Sequence, residues 1–437
     1  MPNKPMQTNR LKVLLIVEQC NPEWPSVPLV AYNLFKEISK RVDATLVTHE
    51  RNRQALEKHP EYKDVVYVSE GDLNKKYYGI VEGLTAKGRI NWPLYHALSY
   101  PIYAEFNQKV YQKFKAPILR GDYDIVHALT PMMPRYPVKA VKACQTTPFI
   151  LGPVNGGLPF PSGFQETAKK EYASLNFLRS LGRLFIPGYV ETYKKADRIL
   201  SGSTYTLNLL KNLFAIPDER IGLFYENGIA QEFLNPPKPP KNEDKINLLF
   251  VGRLVPYKCA DVVIEAINHL DSAIQNKISL TIVGDGSEKN NLEQRVLELQ
   301  LDKLVTFTGW VNQQETLDYY RKSDIFCFPS VREFGGAVVL EALACGLPCI
   351  VANNGGIAEY VTEETGFRIE PISRDYLIQE VAKNIEILVK DENRRKTMSE
   401  NALERAKEFE WGYKAQKIVE LYETMRQEKE VALAKKR

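Results

Sequence analysis

The sequence lacks any apolar run long enough to cross a bilayer, and its six cysteines include no CxxC pair. The first absence argues against a membrane-spanning chain. The second argues against a disulfide framework and a zinc site: Cys20, Cys144, Cys259, Cys327, Cys345 and Cys349 are scattered, and a reducing cytoplasm is the expected compartment. The apolar stretch Val13 to Val17 meets Glu18 and is too short for the hydrophobic part of a secretion signal. Neither GxGxxG nor a Walker sequence occurs in "IVGDGSEKNNLE", so that turn is only a weak phosphate loop, with Ser287 as a helix cap.

Charge is also not of one sign. The net value is +4, but Leu73 to Arg198 holds 18 Lys/Arg against 8 Asp/Glu, leaving the rest of the chain acidic. This basic segment has no nucleic-acid recognition motif, which disfavours nucleic acid as a partner. At 437 residues the chain can bury two cores.

What is present is alternation. Short β-branched runs at 12–18, 43–49, 64–68, 124–129, 148–154 and 198–203 alternate with amphipathic helical patterns, and a second series follows at 246–252, 278–284, 304–309, 325–329 and 348–353. Such alternation is the mark of α/β architecture, here two Rossmann-like doubly wound parallel-sheet domains. Between the series, "LNPPKPPKNEDK" (234–245) carries four prolines and reads as an extended connection. The expected units are residues 1–236, residues 237–410, and a C-terminal helix over 411–437 that crosses back to the first unit. Ligands of doubly wound sheets sit beyond the carboxyl ends of strands, so the cleft between the domains is the expected site.

Several strand-to-helix junctions carry unusual residues. In "PSVREFGGAVVLEALACGLPCIV" Glu333 lies in a loop and Glu341 eight positions on, within a helical pattern ended by Gly346. Gly335 and Gly336 allow close backbone approach, and the helix start offers free N–H groups to an anion. Arg253 and Lys258 stand five apart in "VGRLVPYKCA", either as solvated cations or converging on one anionic group. Gly284 ends the next strand, and Trp310 in "FTGWV" suits either a nucleobase platform or core packing.

Taken together, "GRLVPYK", "VGDGSEKNNLE", "SDIFCFPSVREFGGAVVLEALACGLPCIVANNGGIAEYV" and "TGFRI" resemble glycosyltransferase family 4, retaining enzymes of the GT-B fold, including its E-x7-E signature. The resemblance implies a hexose transferred from a nucleotide-diphosphate sugar to a saccharide or lipid-linked acceptor in polysaccharide, glycolipid or glycoconjugate synthesis. It assigns the diphosphate to Arg253 and Lys258, the ribose hydroxyls to Glu341, and the sugar to Glu333, with Phe334, Gly335 and Gly336 along the donor. No cofactor and no metal are expected, since Arg253 and Lys258 supply the positive charge. Many relatives read Glu-Gly-Phe-Gly where this chain reads Glu333-Phe334-Gly335-Gly336, and their Gly-Gly after the first strand is here "EQCNPEWPSVP". Their Asn-Gly-Val-Asp is here Asn227-Gly228-Ile229-Ala230.

On the acceptor side the resemblance places His127 of "DIVHALTPMMP" beside the reacting sugar, the alternative being a satisfied core histidine. The loop Gly152 to Phe160, with Gly152, Asn155, Gly156 and Gly157, is either an acceptor-side glycine loop or a plain turn. Asp122-Tyr123-Asp124 forms a DxD triplet but reads as strand entry. The aromatic stretch Lys75 to Phe114 and the amphipathic "SLNFLRSLGRLF" (174–185) suit either the core or a peripheral contact with the inner face of a membrane. Two other classes stay open: a non-catalytic nucleotide-sugar sensor and a GT-B sugar-nucleotide epimerase.

Overall fold

A computed structural model describes residues 10–85, 94–95, 98–171, 182–183, 185–234 and 245–435. Most of the 174–185 pattern, and residues 235–244 of the proline-rich connection, lie outside them.

The first sheet has seven strands: β1 (Lys12–Ile16), β2 (Asp43–His49), β3 (Val65–Val68), β4 (Ile125–Ala128), β5 (Phe149–Val154), β6 (Arg198–Ser201) and β7 (Ile221–Leu223). Its order is β3-β2-β1-β4-β5-β6-β7, with every pair parallel. The second has six: β8 (Ile246–Val251), β9 (Ile278–Val283), β10 (Val305–Gly309), β11 (Ile325–Phe328), β12 (Cys349–Ala352) and β13 (Gly366–Ile369), in the order β10-β9-β8-β11-β12-β13. Both orders reverse beside their first strand, next to β1 and β8, which opens a crevice at that point.

The sequence pattern locates the other strands but misses β7 and β13. Both are edge strands of three and four residues. An edge strand has one neighbour and buries little, so no long apolar run is required of it.

Strand periodicity sorts the first sheet's side chains onto two faces. Leu14, Ile16, Val126 and Ala128 pack with Phe106, Val110 and Phe114, from the long helix that precedes β4. Val13, Leu15 and Ile125 pack with Leu34, Phe35 and Ile38 of α1 (Val27–Ser39). The helix Trp411–Ala434, here α2, joins this second face through Ala415, Ile418, Val419, Tyr422 and Met425. Each of its larger buried side chains contributes roughly 1.5–3 kcal/mol of burial. Ion pairs of Glu428 with Arg198 (2.8 Å) and Lys429 with Asp197 (3.5 Å) hold its far end. The last helix is thus continuous with the second domain in sequence and packed on the first in space.

Candidate functional site

On the second sheet the chain leaves β8 through Gly252 and a short 3-10 turn, Pro256–Lys258. That turn carries Lys258 inward: its ammonium lies 2.6 Å from Glu333 Oε2 and 4.8 Å from the centre of the Phe328 ring. The Lys258 and Glu333 side chains are only 11% and 17% exposed. Screening by water is therefore weak, and the two charges neutralise each other. Arg253 leaves the same turn outward, exposed, with Nη2 donating to the Tyr257 hydroxyl at 3.0 Å.

Glu333 itself is set by its backbone. It bridges to Gly355, and its carbonyl accepts from Gly356 N at 3.2 Å. The next carbonyl, Phe334 O, accepts from Gly356 N at 3.0 Å and from Asn155 Nδ2 at 2.9 Å. A Cβ at Gly335 would meet the ends of the Asn227 and Glu226 side chains, so any other residue there displaces that amide and carboxylate. Gly336 takes φ +54° and opens the helix Ala337–Ala344. Glu341 rides on that helix, and the Tyr320 hydroxyl donates to its Oε2 at 3.0 Å. Burial pushes the Glu341 carboxyl up to about 6, with the Tyr320 bond opposing the shift.

Gly284 ends β9 and takes φ +140°, beside the Gly252 backbone. Trp310 follows β10 and is 76% exposed, which removes core packing as an account of it.

The glycine loop after β5 reaches across to this domain. Asn155 is buried; its Oδ1 accepts from Ser203 Oγ and Thr206 Oγ1, both at 2.8 Å. These bonds orient the amide so that Nδ2 faces Glu226, 2.8 Å from each oxygen, as well as Phe334 O. Farther along, Leu158 O accepts from Arg332 Nε at 3.0 Å, and Thr204 Oγ1 donates to Glu359 at 2.8 Å. Gly156 N donates to Thr206 Oγ1 at 3.0 Å and Gly157 takes φ +90°. The loop holding Gly152, Asn155, Gly156 and Gly157 thus bridges the two domains directly behind the Glu333–Gly336 segment.

His127 requires a correction. It is fully buried, with Nε2 2.7 Å from Gly152 O and Nδ1 2.6 Å from the Tyr422 hydroxyl. A carbonyl only accepts, so Nε2 carries the proton and Nδ1 accepts from Tyr422. Burial, partly offset by the Gly152 bond, lowers its pKa to about 4. Neither nitrogen is left for a sugar, and His127 is a core residue that ties β4 to α2. The DxD aspartates sit at the opposite end of the sheet: Asp124 accepts from Lys12 N at 2.8 Å and Asp122 pairs with Arg120 at 2.6 Å.

Two carboxylates emerge that the sequence pattern did not single out. Burial pushes Glu226 up to about 7, against the pull of Asn155 and Lys414. Burial likewise raises Glu18, at the end of β1, to about 7, with Arg51 opposing and Glu70 reinforcing. No local pattern separates either from a surface glutamate; only the quoted "EQCNPEWPSVP" loop drew attention near Glu18.

Two doubly wound parallel sheets with their carboxyl edges joined by bridging loops constitute the GT-B fold. Residues 231–405 match the family described as glycosyl transferases group 1. Over 253 residues the chain is 26% identical to D-inositol 3-phosphate glycosyltransferase of Kribbella flavida, covering 54% of this chain and 58% of that protein. It is 30% identical over 247 residues to an uncharacterized glycosyltransferase of Methanocaldococcus jannaschii, covering 56% and 63% of the respective chains. The matches therefore span less than two thirds of these relatives. Among solved structures, Anabaena HepE in complex with UDP is similar at 18% identity and TM-score 0.63, covering 95% of this chain and 100% of that one. That likeness establishes the shared fold.

Proposed function

We propose that the chain is a retaining, metal-independent glycosyltransferase that moves a hexose from a nucleotide-diphosphate sugar to a saccharide or lipid-linked acceptor. The observation that carries this reading is the Lys258–Glu333 pair beside Arg253 at the end of β8. An arriving diphosphate competes for Lys258 and collects Arg253, a charge-assisted clamp for the leaving nucleotide. Glu333, released from Lys258, then turns two acceptor oxygens to the sugar hydroxyls. Glu341, raised to about 6 yet ionised at neutral pH, accepts from the ribose diol.

In this reading Glu333 positions the sugar rather than attacking it. The acceptor hydroxyl enters on the face from which the nucleotide departs, and its proton passes to the departing diphosphate, so configuration is retained. Arg253 and Lys258 provide the charge that a metal ion supplies in other transferases. UDP-glucose is the donor to try first, because HepE was solved with it. The work of the enzyme lies in polysaccharide, glycolipid or glycoconjugate synthesis.

A sensor that binds but does not turn over would use the same donor contacts, so experiment must separate the two. UDP should raise the melting temperature of the full chain, and UDP-glucose with a mixed saccharide acceptor pool should release UDP. Glu333→Gln should keep the UDP shift and lose roughly a hundredfold or more of that release, the scale of losing a preorganised polar contact. Unchanged release in the variant would remove Glu333 from the mechanism. A UDP shift with no release from any donor and acceptor mixture would favour the sensor.

A further inference from the structure

Phe334 stands where many relatives carry glycine, and the donor chemistry above gives its ring no task. The guanidinium of Arg332 lies over that ring, with Cζ 5.2 Å from its centre. The same Cζ is 4.8 Å from the centre of the Phe160 ring. Phe160 ends the glycine loop of the first domain, so one cation of the second domain meets an aromatic face from each domain. Arg332 Nε also donates to Leu158 O at 3.0 Å, which fixes the guanidinium against the loop.

The stretch that supplies Phe160 is laid along the second domain. Asn354 Nδ2 donates to Val331 O at 2.6 Å and reaches toward Pro159 O at 3.5 Å. Leu158 sits so close to Gly355 that a Cβ there would lie 2.7 Å from Leu158 Cδ2. Past the loop, a Cβ on Gly163 would run into the Ile372 carbonyl, and Phe164, 4% exposed, joins the second domain's core. The helix Gln165–Lys170 then rests against the Pro256–Lys258 turn. With Asn155 Nδ2 on Phe334 O, the first domain holds the residue before Glu333 by its side chain and the residue after it by its carbonyl.

We propose that Phe160, Arg332 and Phe334 form an interdomain clasp that positions Glu333 for the donor sugar. The inference rests on the glycosyltransferase reading and names positioning residues for it. The groups assigned to the diphosphate and ribose make their contacts inside the second domain: Arg253 with Tyr257, Lys258 with Glu333, and Glu341 with Tyr320. Loosening the clasp therefore spares nucleotide binding and costs sugar alignment. Misplacing a reacting group by about 1 Å lowers rate by up to about a hundredfold, so a small displacement of Glu333 is felt in turnover.

The test follows UDP release from UDP-glucose with a mixed saccharide acceptor pool, beside UDP affinity by calorimetry and amide exchange on the full chain. Phe160→Leu keeps apolar bulk and removes the aromatic face, so release should fall about threefold to tenfold, the scale of one cation–π contact. Phe160→Tyr keeps the face and should restore release to within about twofold of the wild type. Arg332→Ala loses both rings and the Leu158 bond, and should fall further than Phe160→Leu. In each variant the UDP dissociation constant should stay within about twofold. In Phe160→Leu and Arg332→Ala, exchange should quicken at residues 333–336 while β8 stays as slow as in the wild type. A general structural defect would instead weaken UDP binding and would not be rescued by tyrosine. Unchanged release in Phe160→Leu and Arg332→Ala, a loss of UDP affinity equal to the loss of release, or unchanged exchange at residues 333–336 would overturn the clasp. If the wild type binds no nucleotide or releases none, the glycosyltransferase reading falls instead, and unchanged exchange in Phe160→Leu would still remove the clasp.

Discussion

The two sheets share one topology, yet their carboxyl edges are furnished differently. On the second sheet the polar groups at strand ends meet one another inside the same domain, as in Lys258 with Glu333 and Tyr320 with Glu341. On the first sheet they meet partners from elsewhere: His127 binds the last helix, and Asn155 binds Glu226 and the second domain's Phe334 carbonyl. One edge is arranged by contacts within its own domain, the other also by contacts with the last helix and the second domain. The chemistry of the donor edge can therefore be read from short motifs, while the first edge depends on what the rest of the chain brings to it.

His127 gives the largest effect with which to test this contrast. Within β4, Ile125 and His127 lie on the face shared with α2, while Val126 and Ala128 face the other way. His127→Ala would strand the buried Tyr422 hydroxyl and Gly152 carbonyl and leave a cavity. The expected cost is about 2–4 kcal/mol, read as a lower urea midpoint and faster amide exchange in Trp411–Ala434. UDP binding should persist. Loss of UDP binding with that helix still protected would return His127 to the cleft.

The same contrast explains what was legible in the sequence. The apolar periodicity of the interior strands and the spacing of Arg253, Lys258, Glu333 and Glu341 are local signals, and they locate a parallel-sheet fold and a cluster at one edge of it. His127 was misplaced because its environment is set by strand parity and by Tyr422, 295 residues away. Glu226 gave no signal because no motif marks it; its burial and its bond to Asn155 arise only from packing. Trp310 admitted two readings, and only its exposure separates them.

Glu226 marks the seam between the two edges and gives the next effect in size. Its pKa is raised from 4.5 to about 7, so the folded chain keeps a proton that the unfolded chain has released. Its contribution to stability is thus full below about 4.5 and is lost as the pH rises to about 7. The groups facing it are Asn155, which donates to it, and the charges of Lys414 and Glu333. Burial lowers Lys414 to about 7, with Glu226 opposing that shift. Glu226→Gln should flatten the wild-type loss of stability between about pH 5 and pH 8, by on the order of 1–3 kcal/mol. Urea midpoints at the two pH values provide the measurement, and equal slopes in variant and wild type would refute the assignment.

The smallest effect concerns the donor edge alone. Trp310, 76% exposed after β10, packs too little to hold the fold, so Trp310→Ala should leave stability within about 0.5 kcal/mol. If its ring is the platform for the nucleobase, the same change should weaken UDP binding by about tenfold, within the range for a stacked base on an aromatic ring. The loss should be similar for UDP and GDP, because stacking uses the face that every base presents. A loss confined to one nucleotide would mean that hydrogen bonding near Trp310, rather than its ring, reads the base. Unchanged affinity for both would place the base elsewhere, leaving the donor edge to hold its nucleotide through the diphosphate and ribose contacts alone.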